Sequence, residues 1–306
     1  MKLFKVLRMG LLSFVLGCFS SSGPYHKKDG SWFWKNDRMS VNASESLTFL
    51  SEDFATADGN AYYRGDRIAN SDAATFQVLN EWLTKDKAHV FYSDTYRKDT
   101  ESWLIKRGRS VVIDGADPAT FQALKSRYAR DKSRIYWEGQ PIAIHDPATF
   151  EVLESSYARD RTTGYYLRVP VAGSDGATFT SVSDFYAKDA THAWFSGAPD
   201  SSEKYIGVIT NTPLKDAMPT SFVPVDIWYA KDAAHVWYKA SVLKGIDPAT
   251  FETFGSYAKD ATQVVYEGRI IKGADGASFV WLGAESTPTA DAKDARGQFL
   301  TGVRVR

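Results

Sequence analysis

Cysteine occurs once in the 306 residues, at Cys18, so no intramolecular disulfide can hold this chain together. An excess of charge is missing too: Lys plus Arg equals Asp plus Glu, 37 each. Nucleic-acid binding needs a concentrated basic footprint, and there is none. After the first twenty residues no apolar run approaches the length that crosses a bilayer. Catalytic signatures are absent as well, with no GxSxG, no HExxH and no phosphate-binding GxxxxGK[ST] loop. The sequence therefore reads as non-catalytic and without a cofactor. A carboxylate pair for glycoside cleavage leaves no motif, so an envelope glycan hydrolase stays open as an alternative.

Aromatic residues are plentiful: 9 Trp, 16 Tyr and 18 Phe make up 14% of the chain. Such side chains favour pleated, half-buried surfaces and point to β structure. The N-terminus has a different character. "MKLFKVLRMG" carries three positive charges and "LLSFVLGC" follows as a short apolar run, the pattern of an export signal. Val15 to Cys18 resembles the lipobox of bacterial lipoprotein signals, which makes Cys18 the expected lipid-modified residue. The other reading makes Cys18 an ordinary part of a signal cleaved further on. Phe19, where inner-membrane retention is associated with Asp, favours the outer membrane. The expected organisation is a signal peptide over 1–17, a flexible Ser/Gly tether over 18–27 and a folded domain over 28–306.

That domain repeats itself. "YAKDATHAWF" at 186–195 returns as "YAKDAAHVWY" and "YAKDATQVVY". Aligned on the Asp, the copies place Asp29, Asp58, Asp86, Asp131, Asp160, Asp189, Asp232, Asp260 and Asp294 in one column. The Phe of "ATF" gives a second column from Phe49 to Phe279, and both columns agree on a unit of about 29 residues. Two copies carry inserts of roughly 15 residues between the aromatic doublet and the next "ATF". Within a unit the Asp begins a turn, accepting from an N–H two residues on. "EGQ", "RGD" and "EGR" make a second reversal with Gly at positive φ. "DPATF" reads as a cap and a single helical turn. Each unit should thus hold two or three short strands and one capped turn.

The "YAKD…VYY" core followed by "GADPATF" resembles the DKNYY family of bacterial repeat proteins, with eight copies and a truncated ninth. The resemblance implies a secreted or membrane-anchored repeat domain of unknown biochemical role and supplies no catalytic residues. An isolated hairpin is marginal in water, so copies must shelter each other's rings. The expected fold is all-β: tandem hairpin repeats stacked as an elongated or curved array, with a propeller-like closed array as the alternative. Four-stranded propeller blades need about 40 residues or more, which weakens that alternative.

Successive strand residues face opposite ways, so doublets such as Tyr62/Tyr63 and Trp194/Phe195 cannot both face one core. Either both sheet faces are covered, or one row forms an exposed ladder for sugar rings or partner side chains. His89, His192 and His235 each follow the turn Asp by three residues, but Gln263 fills that slot in another copy, so a turn or strand-edge role is expected rather than a metal site. Calcium wants several converging oxygens, whereas each turn offers one constant carboxylate beside a Lys or Arg. Arg64–Asp66, "RGD", occupies the slot of "EGR" and reads as a turn.

The two departures from the repeat, 93–112 and 196–221, are where a partner is expected, with Tyr96, Trp103, Arg107 and Tyr205 as candidate contacts. The plainer reading makes them extra hairpins. The functional expectation is a lipid-anchored envelope protein acting as a non-catalytic scaffold for a protein or glycan. A purely structural spacer is the further alternative.

Overall fold

The computed structural model describes residues 24–41, 46–96, 107–197, 209–283 and 290–305. Cys18 lies outside them. The chain divides into two compact units, the first ending at Ala119 and the second beginning at Thr120. No α-helix occurs among the described residues, and nine small antiparallel sheets do. In chain order sheets 1 to 9 begin at Tyr25, Thr48, Gln77, Gln122, Glu151, Thr180, Val223, Glu252 and Val280. Sheets 1 to 3 belong to the first unit and sheets 4 to 9 to the second.

Eight of these sheets hold four strands in simple sequential order, and none closes on itself. Sheet 5 is representative: Glu151–Val152, Tyr157–Arg159, Gly164–Tyr166 and Val169–Pro170. The expected two or three strands per unit are therefore too few. Stretches after "ATF" and after the "EG" turn contribute outer strands of two or three residues in most sheets, too short to show a two-residue alternation. Between the third and fourth strands of sheets 2, 4, 8 and 9 the reversal is a two-residue turn with both residues at positive φ, as at Glu138 (48°) and Gly139 (72°). That geometry matches the right-handed twist of the flanking strands.

Each buried cluster joins two consecutive sheets. In the first unit, Tyr25 and Trp34 pack with Ala55 and Tyr62, while Phe54 and Tyr63 pack with Phe91. In the second, Tyr128 packs with Ala158 and Tyr165, and Tyr157 and Tyr166 pack with Ala187 and Trp194. Sheet 5 thus buries Ala158 and Tyr165 against the sheet before it and Tyr157 and Tyr166 against the sheet after it. The doublets therefore cover both faces, and Trp194 and Phe195 alike are sealed from water.

The Phe of "ATF" fills the gap between sheets. Phe179 lies 6.0 Å from Tyr157 and 6.0 Å from Trp194, and Phe222 lies 5.9 Å from Tyr186 and 5.7 Å from Trp237. Burying one such ring is worth about 1.5–3 kcal/mol. Ala in "YAKD" is small because it shares that crowded joint: Ala158, Ala187, Ala230 and Ala258 are fully buried.

The turn Asp does more than start its own turn. Asp160 Oδ1 accepts from the backbone N–H of Thr162 (2.7 Å) and Thr163 (2.9 Å), while Oδ2 accepts from the N–H of Asp146 (2.9 Å) and the hydroxyl of Tyr165 (2.7 Å). The bond reaching back into the "DPATF" segment recurs at Asp86, Asp189, Asp232, Asp260 and Asp294. Thr of "ATF" closes the same junction from the other side: Thr149 Oγ1 accepts from Arg161 N–H at 2.9 Å.

Asp29 and Asp58 do not belong in that column. Tyr25 pairs with Trp34 as Tyr128 pairs with Trp137, which sets Lys28, not Asp29, against Asp131. By the same register Ala57 takes that place in sheet 2. The first two sheets reverse through Asp-Gly turns with positive φ at both residues, one position later than elsewhere.

Candidate functional site

Residues of the repeated phrase are engaged in holding the array together. Tyr186 donates to carbonyls of the next repeat, and Lys188 Nζ donates to the carbonyls of Pro219 (2.7 Å) and Phe222 (3.2 Å) in the next "ATF" segment. Lys231 does the same to Pro248, and Lys85 to Pro118. Function must be sought where the repeat is broken.

Both inserts leave their sheets at the same point, between the third and fourth strands, where other copies have the tight turn. In sheet 3 the strands Val90–Tyr96 and Arg107–Val112 run on as a hairpin arm of six paired residues. Tyr96 and Arg107 are cross-strand partners at its described end. Asp94 holds Arg109 by two bonds of 2.9 and 2.6 Å, and Arg109 lies over the Tyr96 ring at 5.9 Å. In sheet 6 the hairpin continues through Ser196 and Asn211, then through Gly197 N–H to the carbonyl of Thr210 at 2.9 Å. Trp103 and Tyr205 lie outside the described residues. The structure thus brings Tyr96 and Arg107 together.

Beside the described end of the sheet 3 arm a cleft of about 230 Å³ is lined by Trp34, Asp37, Arg38, Arg64, Asp66 and Arg107. Arg64 is fixed there by two bonds to Asp53, 2.9 and 3.1 Å, and lies over Trp34 at 5.6 Å. Burial disfavours its charge, but the Asp53 carboxylate outweighs this and raises its pKa. Gly108 is required by the approach: a Cβ there would stand 2.9 Å from the Tyr63 ring and 3.0 Å from its carbonyl oxygen. The "RGD" stretch is the tight turn of sheet 2, as its slot in the repeat indicates. The sequence reading missed Trp34, Arg38 and Arg64 as neighbours of the arm. A lone Gly among the long side chains of "KRGRS" was the one signal of that close contact.

The second unit has a larger cleft, about 450 Å³, between sheets 7 and 8, lined among others by Asp226, Trp228, Tyr238, Ser256 and Glu267. Asp226 Oδ1 accepts from the N–H groups of Trp228 (2.7 Å) and Tyr229 (2.8 Å), which fixes its carboxylate. The sequence reading passed over this site as well. A Phe-to-Tyr spacing one residue shorter in this copy than in its neighbours marks it.

Each repeat histidine stays within its own repeat. His235 Nδ1 lies 3.4 Å from Asp232 and its ring 5.4 Å from Trp237, with His192 similarly against Trp194. Among the described residues no three His, Cys, Asp or Glu side chains converge as a metal site would require. None of their helices is long and apolar enough to cross a membrane.

No curated protein and no solved structure matches the chain. One family model does, over residues 12–95, 96–256 and 157–295, and these spans take in nearly all of the repeats described above. It is the model of the DKNYY family, to which this chain therefore belongs.

Proposed function

We propose that this chain is a non-catalytic interaction scaffold, exported, anchored in a bacterial outer membrane by a lipid on Cys18, and engaged by an envelope partner at the sheet 3 arm. The observation that carries this reading is the contrast between repeat and insert. Tyr, Lys, Asp and Phe of the repeat make contacts that join one copy to the next, whereas the arm extends its hairpin past the place where other copies turn, with Arg109 held by Asp94 over the Tyr96 ring. The cleft beside it adds further guanidinium groups and an indole. Arginine and aromatic side chains are the types enriched where proteins hold partners. Anchoring is supported by the charged and apolar N-terminus ending at Cys18 and by the Ser/Gly stretch that follows. One acyl chain gives only marginal membrane binding and two or more give stable anchoring.

The experiment replaces residues 93–110 by Asn-Gly, the two-residue turn that other copies have between the same strands, which removes Tyr96, Arg107 and Arg109. Folding should be retained, and a partner captured from envelope extract by the intact chain should no longer be captured. Equal capture by the two proteins would refute the assignment of the arm. Cys18→Ala should move the protein from the membrane to the soluble fraction, and unchanged membrane retention would refute lipid anchoring.

A further inference from the structure

The joint between sheets 7 and 8 differs from the one before it. Directly before the tyrosine of the second strand the chain has Phe185 in sheet 6, Trp228 in sheet 7 and Ser256 in sheet 8. Phe185 and Trp228 stack with ring centroids 5.0 Å apart and planes 11° from parallel, so a ring pair occupies this part of the joint between sheets 6 and 7. The next joint has no third ring to fill it. Sheet 8 is also one residue shorter here: Phe251 and Tyr257 are six positions apart, against seven for Phe222 and Tyr229 or Phe179 and Tyr186. Phe254 consequently pairs with Tyr257 across a Gly255–Ser256 turn, with Gly255 at φ +59.

What remains is the cleft of about 450 Å³. Trp228 and Tyr238 supply aromatic surface, Thr253 and Ser256 supply hydroxyls, and Asp226 and Glu267 supply carboxylates. Lys239 Nζ lies 5.1 Å from the Trp228 ring and 5.6 Å from the Tyr238 ring. Beside Gly255 stands Trp281, which is 41% exposed, as Trp228 is 37% exposed.

We propose that this cleft binds a sugar ring of a glycan, in the hexopyranose class. Its size falls in the range of small-ligand sites, which combine aromatic walls with a few placed polar groups. The C–H face of a pyranose packs on an aromatic ring, its adjacent hydroxyls donate to carboxylates, and an ammonium group donates to its oxygens. Aromatic surface, hydroxyls and carboxylates meet in this cleft, and the Lys239 ammonium lies over two of its rings. A cationic side chain would instead meet the Lys239 charge over the same two rings, and a phosphate would meet two carboxylates. Phe185 behind Trp228 and the backbone donors on Asp226 hold two of the binding groups in place, so little ordering is left to oppose binding. The lining of the cleft comes from the second unit alone, and the arm belongs to the first, so the proposal does not rest on the arm.

The test titrates the full chain with cellotriose, maltotriose, mannotriose and N,N′,N″-triacetylchitotriose, by calorimetry and tryptophan fluorescence. At least one should saturate a single site with a Kd of about 0.1–5 mM. Ser256→Trp restores the ring present in the two preceding copies and should weaken binding at least tenfold, as should Trp228→Ala. Glu267→Gln should weaken it several-fold. Circular dichroism of each variant checks the fold, and Ser256→Trp decides the matter if Trp228→Ala does not fold. Saturation by none of the four sugars would overturn the proposal. So would undiminished binding by a folded Ser256→Trp, which would place the sugar elsewhere, or hydrolysis of a bound sugar that Glu267→Gln abolishes, which would make the cleft an active site.

Discussion

Tyr186 donates its hydroxyl hydrogen to the carbonyl oxygen of Trp228, 2.6 Å away and in the following repeat, and lies 3.1 Å from the carbonyl oxygen of Lys239. Its ring pairs with Phe195 in its own sheet and with Phe222 ahead of it. The same residue therefore supplies apolar contact and a polar tie across one joint. Equivalent tyrosines repeat the tie with different partners: Tyr128 donates to Leu167, and Tyr229 accepts from Gly268 N–H at 3.0 Å. Tyr257 donates to Asp291 at 2.6 Å and accepts from Gly302 N–H at 2.8 Å.

Tyr186→Phe keeps the ring and removes the tie. The Trp228 carbonyl keeps its bond from the Lys239 N–H at 2.7 Å, so one hydroxyl tie is lost and that acceptor is not orphaned. The expected loss is about 0.5–1.5 kcal/mol of stability, read as a lower urea midpoint with an unchanged slope. A variant as stable as the parent would show that the hydroxyl adds nothing to the packing of its ring.

Acid should loosen the array over a defined window. Burial by itself would raise the Asp160 pKa, but the Tyr165 hydroxyl and the N–H groups of Asp146 and Thr162 outweigh it and hold the value at about 2, against an ordinary 3.8. Asp189, Asp260 and Asp294 are depressed too, burial again being outweighed by donors led by the N–H groups of Asp175, Asp247 and Asp275. A group with a lower pKa when folded contributes stability above its unfolded value and loses it as pH falls through its folded value. Stability should accordingly be level above about pH 5 and fall steeply between about pH 4 and 2. Asp160→Asn should be less stable at pH 7, and its acid limb should be shallower. An acid limb of unchanged steepness would mean that Asp160 is not one of the groups responsible.

Two glycines at nearly the same φ separate backbone strain from packing. Gly268 (φ +77) would place a Cβ 2.2 Å from the Tyr238 ring, whereas Gly273 (φ +79) has nothing within 4 Å. Gly273→Ala should cost about 1 kcal/mol, from the unfavourable φ alone. Gly268→Ala should cost roughly 1–3 kcal/mol more, because the close contacts reach back to Cγ and Cβ of Tyr238, which its strand holds in place. Equal losses would mean that the turn does not press on the preceding repeat.

Much of this was legible in the sequence, and the rest was hidden for identifiable reasons. The 29-residue period, the turn Asp, the Gly reversal and the mutual sheltering of rings follow from side-chain types at fixed spacing. Bonds to main-chain carbonyls do not, since every residue has a carbonyl; hence the link from Lys188 to Pro219 could not be foreseen. Outer strands such as Val169–Pro170 are too short to carry a pattern. Asp29 and Asp58 misled because Asp-Gly centres a two-residue turn, while Asp131 sits at the corner of one. Tyr96 and Arg107 were found because an insert between antiparallel strands must bring its two flanks together. Trp34 and Arg64 reach the same place from other copies, which spacing within one copy does not reveal.

Phe179 offers the sharpest test of how the copies depend on one another. It touches the rings of Tyr157 and Trp194, is fully buried, and sits in the cluster that joins sheets 5 and 6. Phe179→Ala should cost about 3–5 kcal/mol through lost burial and the cavity left behind. In an array stabilised by neighbour contacts, such a loss falls on one joint rather than on the whole chain. Amide exchange should therefore quicken most in the strands flanking this joint, Tyr157–Arg159 and Ala193–Ser196, and least in Tyr257–Lys259 of sheet 8. Denaturant unfolding of the second unit should broaden or split as coupling across the joint weakens. A single sharp transition with uniformly faster exchange would show instead that the unit folds as one indivisible body, with its cooperativity carried by more than contacts between adjacent copies.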